Sequence, residues 1–232
     1  MLTATLLSAL LLNSLSTTPN GALIQNETTC YTTTAQKGDK IEVIGYTLQS
    51  IEREKKEDRD IFKIVIHQRM FGGKFDMRDS FIVDAQDLHA IEFINERQGK
   101  QHVLLNYGSN KISGTRIASD GSKESIEVAT QGSIWDANLW GVTFAAMPLT
   151  SGAQLRLPTF HYDKGLGEFN IQVKGLEANI WQLDIGEEGK PKAHYQIGQS
   201  PRRELGVKAG PYTSFIGGDC AELARPANPS NK

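Results

Sequence analysis

Phe62-Lys63-Ile64-Val65-Ile66-His67-Gln68-Arg69-Met70 alternates in a way that decides the fold. Phe62, Ile64, Ile66 and Met70 fall on one side of an extended chain. Lys63, His67 and Arg69 fall on the other, and Val65 is the one exception. A period of two belongs to a β-strand, whose successive side chains point to opposite faces. The same pattern recurs where Phe169, Ile171 and Val173 alternate with Asn170, Gln172 and Lys174, and where Trp181, Leu183 and Ile185 alternate with Gln182 and Asp184. One apolar and one polar face per strand is the mark of an antiparallel sheet covered on one side.

Working outward, this pattern runs from Lys40 to about Val207 and is broken by turn-forming clusters. Gly72-Gly73, Asp84–Asp87, Gln98-Gly99, Ser109-Asn110, Asp120-Gly121 and Glu187–Gly189 read as turns, and the charged run Glu52–Asp60 reads as a hairpin tip. Gly165-Leu166-Gly167 precedes a strand and also reads as a turn. Roughly ten or eleven strands follow from this count, joined as a meander because sequential strands usually pair. The expectation is a mainly β protein: a curved antiparallel meander or half-barrel sheet with one helix on its concave face. It forms a single domain over residues 23–223, with 224–232, containing Pro226 and Pro229, as a frayed tail.

The helix is expected after Gly132. Ser133 and Asp136 have capping-box spacing, and Pro148 closes the segment. Trp135, Leu139 and Val142 form one apolar stripe, and Trp140, Phe144 and Met147 form a second. A helix apolar on most of its circumference must be covered on most sides. With Trp181 opposite, Trp135, Leu139, Trp140, Phe144 and Met147 either fill the concave face as core or line a cleft for an apolar ligand, because both need the same residues.

Met1 to Gln25 carries no charged residue, and Leu2, Leu6, Leu7, Leu10, Leu11 and Leu12 give it an apolar centre. That run is shorter than the about 20 apolar residues of a membrane span and fits a secretory signal peptide over residues 1–22. It departs from the usual pattern in having no Lys or Arg before the apolar run. Cleavage is expected after Ser16 or after Ala22. The expected location is the periplasm, with an extracellular one as the alternative. No second apolar run is long enough to span a bilayer. Cys30 and Cys220 permit one disulfide in such a compartment, which would close a long loop and stabilise by roughly 4–5 kcal/mol; two separate thiols are the alternative. Glu27-Thr28-Thr29 before Cys30 lacks the small apolar residues of a lipid-anchor signal. The 25 Lys and Arg against 27 Asp and Glu leave a net charge of −2, with the basic residues scattered, which argues against a nucleic-acid partner.

No arrangement of catalytic residues stands out. His67, His89, His102, His161 and His194 show no paired metal-ligand spacing, so no metal or cofactor is expected. His67 shares a face with Lys63 and Arg69 and reads as solvated. Asp76, Asp79, Asp84 and Asp87 are split by the strand period between faces and turns. His161-Tyr162-Asp163 reads as an exposed turn and offers the one conceivable acid–base pair.

The second half also resembles a known family. The helix, then Met147-Pro148-Leu149 and Gly152, then Val173-Lys174-Gly175-Leu176-Glu177 and the Trp181 strand, resemble the DUF3108-like secreted bacterial proteins of unknown function. Ala193–Ile197 and Arg202–Leu205 resemble that family's closing hairpin. The similarity covers roughly Ser133 to Val207, and the first half is similar only in pattern. Met147 and His194-Tyr195 depart from the family's residues. The resemblance implies a fold similar in outline to the half-barrels of periplasmic lipoprotein carriers, and it brings no catalytic residue. The expected function is therefore a non-enzymatic envelope protein that binds a lipid, an acyl chain or a lipidated partner. The alternatives are an interaction module that recruits another envelope protein through a sheet edge, and an enzyme built around His161 and Asp163.

Overall fold

The structure is a computed structural model and describes residues 18–73, 75–187 and 189–224. Most of the expected signal segment (1–17) and of the expected tail (225–232) lies outside the described residues. Fifteen strands occur: β1 Glu27–Lys37, β2 Lys40–Lys56, β3 Arg59–Met70, β4 Asp76–Asp84, β5 Ala90–Arg97, β6 Lys100–Tyr107, β7 Lys111–Ile117, β8 Lys123–Ala129, β9 Trp135–Asp136, β10 Gln154–His161, β11 Gly165–Glu177, β12 Ile180–Glu187, β13 Lys190–Gln199, β14 Arg202–Ala209 and β15 Tyr212–Ile216. Among the described residues one α-helix, α1 Trp140–Ala146, interrupts them.

All the strands belong to one sheet in the order β8-β7-β6-β5-β4-β3-β2-β1-β15-β14-β13-β12-β11-β10-β9. Each half is a meander of antiparallel neighbours. The first strand pairs with the last, Tyr31 opposite Ile216, so the two halves meet at the middle of the sheet. β9 alone pairs in parallel, with β10. The sheet ends at β8 and β9 and does not close into a barrel.

One core spans both halves. Phe62, Ile64, Phe81, Val83, Phe93 and Leu105 of the first half share a cluster with Leu157, Ile171, Val173, Leu183 and Ile197 of the second. Helix residues Val142, Phe144, Ala145 and Ala146 complete it. A single sheet can bring both inner faces into one cluster only by curving around what lies between them. The β9–β10 end meets β5–β7 through side chains: Tyr107 donates to Asp136 at 2.5 Å, Arg97 to the Tyr162 hydroxyl at 3.0 Å, and Arg116 to Asp163 at 3.2 Å.

The structure corrects several sequence-based expectations. The strand count is higher than ten or eleven in part because β1 and β15 lie outside the alternating stretch Lys40–Val207, and β9 is only two residues long. Glu52–Asp60 is the hairpin tip expected, turning at Glu57-Asp58, but most of it is strand: β2 and β3 run as a ribbon past the core, exposed on both faces. Gly165–Gly167 lies inside β11. The helix starts at Trp140, not at Ser133, and Leu139 at its N-cap makes no side-chain bond. Asp136 instead accepts from the Asn138 backbone N–H at 2.7 Å, the local turn that competes with a helix at Asp.

Two terminal segments are docked. Gly217–Ala224 crosses the outer face of β1–β3, tied by the Cys30–Cys220 disulfide and by Thr32 donating to the Gly217 carbonyl at 2.8 Å. Leu223 is buried there, and His67, expected to be solvated, is covered and bonded to Asp76 at 2.8 Å. At the other end a 3-10 turn, Gly21–Leu23, sits on the helix: the Asn20 N–H donates to the Ala146 carbonyl at 2.8 Å. Gly21 is held so close to the Ala85 carbonyl that a methyl group there would overlap it.

Candidate functional site

Helix α1 packs its whole length on the inner face, against β13, β14 and the 3-10 turn. Gly141 to Ala146 are all buried, as the nearly uncharged sequence requires. Of the six residues expected to line a site, Leu139, Phe144 and Met147 are fully enclosed core. Trp135 stands apart in β9, where its indole N–H donates to the Asp87 carbonyl at 2.8 Å and bolts β9 to the turn after β4. Trp140 is the exception: 38 % of its surface is exposed. Its ring centroid lies 5.1 Å from that of Phe169 and 6.4 Å from that of Phe144. The apolar core therefore reaches solvent at the start of the helix.

Trp181, the sixth, belongs to a row across the inner face. It lies opposite Ile197, and Ile197 lies opposite Glu204, on three adjacent strands. The Glu204 carboxylate rests against the helix at Gly141, where a side chain would overlap it. Tyr31 of β1 donates its hydroxyl to the Glu204 backbone carbonyl at 3.2 Å. Protein encloses Glu204, yet part of its surface still meets solvent. The carboxylate has no hydrogen-bond or ion-pair partner among the described residues, and burial pushes its pKa up to about 7. The Glu204 charge in turn helps burial to raise the Tyr195 and Tyr31 hydroxyls.

The nearby cations are engaged elsewhere. Arg203 faces Glu27 at 3.7 Å, and Arg202 lies over the Trp181 ring at 5.6 Å. Trp181 Nε1, Arg202 Nη1 and Arg203 Nε are buried without partners. These are donors, which ordered water or an acceptor satisfies.

Other clusters have structural explanations. Asp84, Asp87 and His89 lie close enough to hold a metal ion. The Arg59 guanidinium already bonds Asp84 at 2.8 Å and His89 at 2.9 Å, and the carboxylates accept from the Gln86 and His89 backbone N–H groups. Arginine thus supplies the positive charge that a metal would bring. Asp79 is buried, takes a 2.6 Å bond from Asn95, and is pushed up to about 7, chiefly by burial. Asp136, pushed up by burial to about 6, is held by Tyr107 and Asn138. These two carboxylates are roofed by core. His161-Tyr162-Asp163 is not simply an exposed turn: Tyr162 is buried under Arg97 and Arg116, and His161 Nδ1 is spent accepting the Asp163 backbone N–H at 3.1 Å.

Sequence reasoning missed Glu204 for a definite reason. Val207 lies opposite Tyr195, which points inward, so strict alternation would turn Leu205 inward and Glu204 out. A bulge shifts the register there, and Glu204 comes to lie opposite Ile197.

Residues 30–187 match a family model described as a protein of unknown function, DUF3108. No curated protein and no solved structure matches the chain. The match takes in the first half, where only the pattern was similar, and stops before Tyr195 and Glu204.

Proposed function

The chain belongs to the DUF3108 family, and from that premise we propose that it is a non-enzymatic envelope protein that binds an apolar molecule, a lipid or an acyl chain, on the inner face of its curved sheet. The observation that carries this is Trp140. It is the one large helix side chain left open to solvent, and it continues an aromatic cluster with Phe144 and Phe169. Large apolar groups beside a few polar ones are the usual make-up of a small-molecule site. Leu139, Phe144 and Met147 support the wall from behind, Trp140 faces the occupant, and Trp181 lies buried under Arg202 in the same inner face. The uncharged opening segment and the Cys30–Cys220 disulfide support an exported, periplasmic protein.

Native mass spectrometry of the protein isolated from its own cell envelope without detergent tests this reading. A mass increment that organic extraction removes is the expected result. In Trp140→Asp the increment is lost while the protein stays folded, because Trp140 is partly exposed. A bare mass for the wild-type chain would reject the proposal.

A further inference from the structure

We infer that the molecule bound beside Trp140 carries a cationic head, an ammonium group, and that Glu204 receives it with Tyr31 and Tyr195 alongside. This rests on the binding reading above and adds the chemistry of the polar end. Three observations carry it. The Glu204 carboxylate is enclosed yet still touches solvent, and no described residue pairs with it. Neither Arg203 beside it nor Arg202 two residues before it pairs with the carboxylate: Arg203 faces Glu27 and Arg202 lies over the Trp181 ring. The groups placed beside it bring no cation: Tyr31 from β1, Tyr195 and Ile197 from β13, and Gly141 of α1, which seats the carboxylate.

An enclosed carboxylate without a counter-ion pays a desolvation cost that a neutral partner offsets only in part. A cation hydrogen-bonded to the carboxylate offsets more of it than a neutral partner does. An anionic head set against Glu204 itself would be repelled; only one held by the partnerless N–H groups of Arg202 and Arg203 would bind, and the anionic probe distinguishes that case. Trp140, at the start of α1, is the exposed apolar side chain available to the chain of the same molecule. The amphiphile has its cation inward at β14 and its chain along the exposed indole.

The test compares dodecyltrimethylammonium, dodecyl maltoside and dodecyl sulfate, each below its micelle concentration, by quenching of tryptophan fluorescence. At about pH 8 the cationic amphiphile is expected to bind at least about tenfold more tightly than the neutral one, and the anionic one most weakly. E204Q is expected to remove the preference and keep neutral binding. In the wild-type chain, lowering the pH to about 5.5 protonates Glu204 and should weaken cation binding alone, which serves if E204Q does not fold. Tyr31 and Tyr195 stay protonated across that range, and α1 brings no titratable group to the carboxylate. Equal affinities for all three, unchanged by E204Q or pH, or tighter binding of the anionic one, would overturn the cationic head and leave the binding reading standing. Failure of every amphiphile to bind would reject both.

Discussion

Glycine 141 is the residue on which the site turns. In an exposed helix interior, replacing Gly by Ala stabilises by about 1 kcal/mol. Here the added methyl meets the Glu204 carboxylate, so Gly141→Ala is expected to destabilise instead, by about 1–2 kcal/mol. Combining it with Glu204→Ala should recover part of that loss. Denaturant midpoints of the two single variants and the double variant would show this as a coupling energy. Additive effects would mean that the two residues do not touch. A second residue-scale case is Tyr107, whose hydroxyl is one of two side-chain donors to buried Asp136. Tyr107→Phe leaves that carboxylate short of a donor and should cost about 1–3 kcal/mol in urea unfolding. Neither partner was legible in the sequence. Tyr107 and Asp136 are on β6 and β9, and nothing in local spacing relates them.

At the scale of elements, alternation identified the long strands correctly. Phe169, Ile171 and Val173 on β11 and Trp181, Leu183 and Ile185 on β12 are all buried, as their period required. Helix α1 was recognised by its apolar content, but its start was misplaced, because Ser133-Ile134-Trp135-Asp136 fits both a capping box and a turn. Pairing of Trp135 with Thr159 decided for the strand. The segments laid over the sheet can be tested directly. The disulfide closes a separation of 190 residues, so replacing Cys30 and Cys220 by Ser should lower stability by up to about 5 kcal/mol. It should also free His67 from the Leu223 carbonyl, visible as faster hydrogen exchange in β3. The 3-10 turn makes a matching prediction. A chain trimmed to begin at Leu23 loses the Asn20 and Gly21 backbone bonds to α1 and to Gln86, and should melt below one that begins at Thr18. Equal melting temperatures would show that the turn adds nothing.

For the whole molecule, buried carboxylates set the response to pH. Asp79 and Glu204 are raised to about 7 and Asp136 to about 6, burial being the first cause in each. Between the ordinary carboxylate range and about pH 7 the folded chain holds protons that the unfolded chain has released, so stability falls as pH rises through that window. Asp76 and Asp84, held low by their partners His67, Arg69, Arg59 and the Gln86 backbone, lose their contribution only in stronger acid. His102 and His161, lowered by burial, pull modestly the other way. The expected result in calorimetry is a higher unfolding temperature near about pH 5 than near about pH 8, with the difference reduced in Asp79→Asn. A flat or opposite profile would contradict the assignment of these groups as enclosed acids. What the sequence by itself determined is the β class, most of the turns, an apolar helix and the possibility of a Cys30–Cys220 bond, since each rests on short-range periodicity or on residue type. Only the tertiary structure decided that Trp140 stays open while Phe144 and Met147 are sealed, and that Glu204 faces the helix. Exposure depends on what the far half of the sheet covers, and a one-residue bulge reverses which way a side chain points.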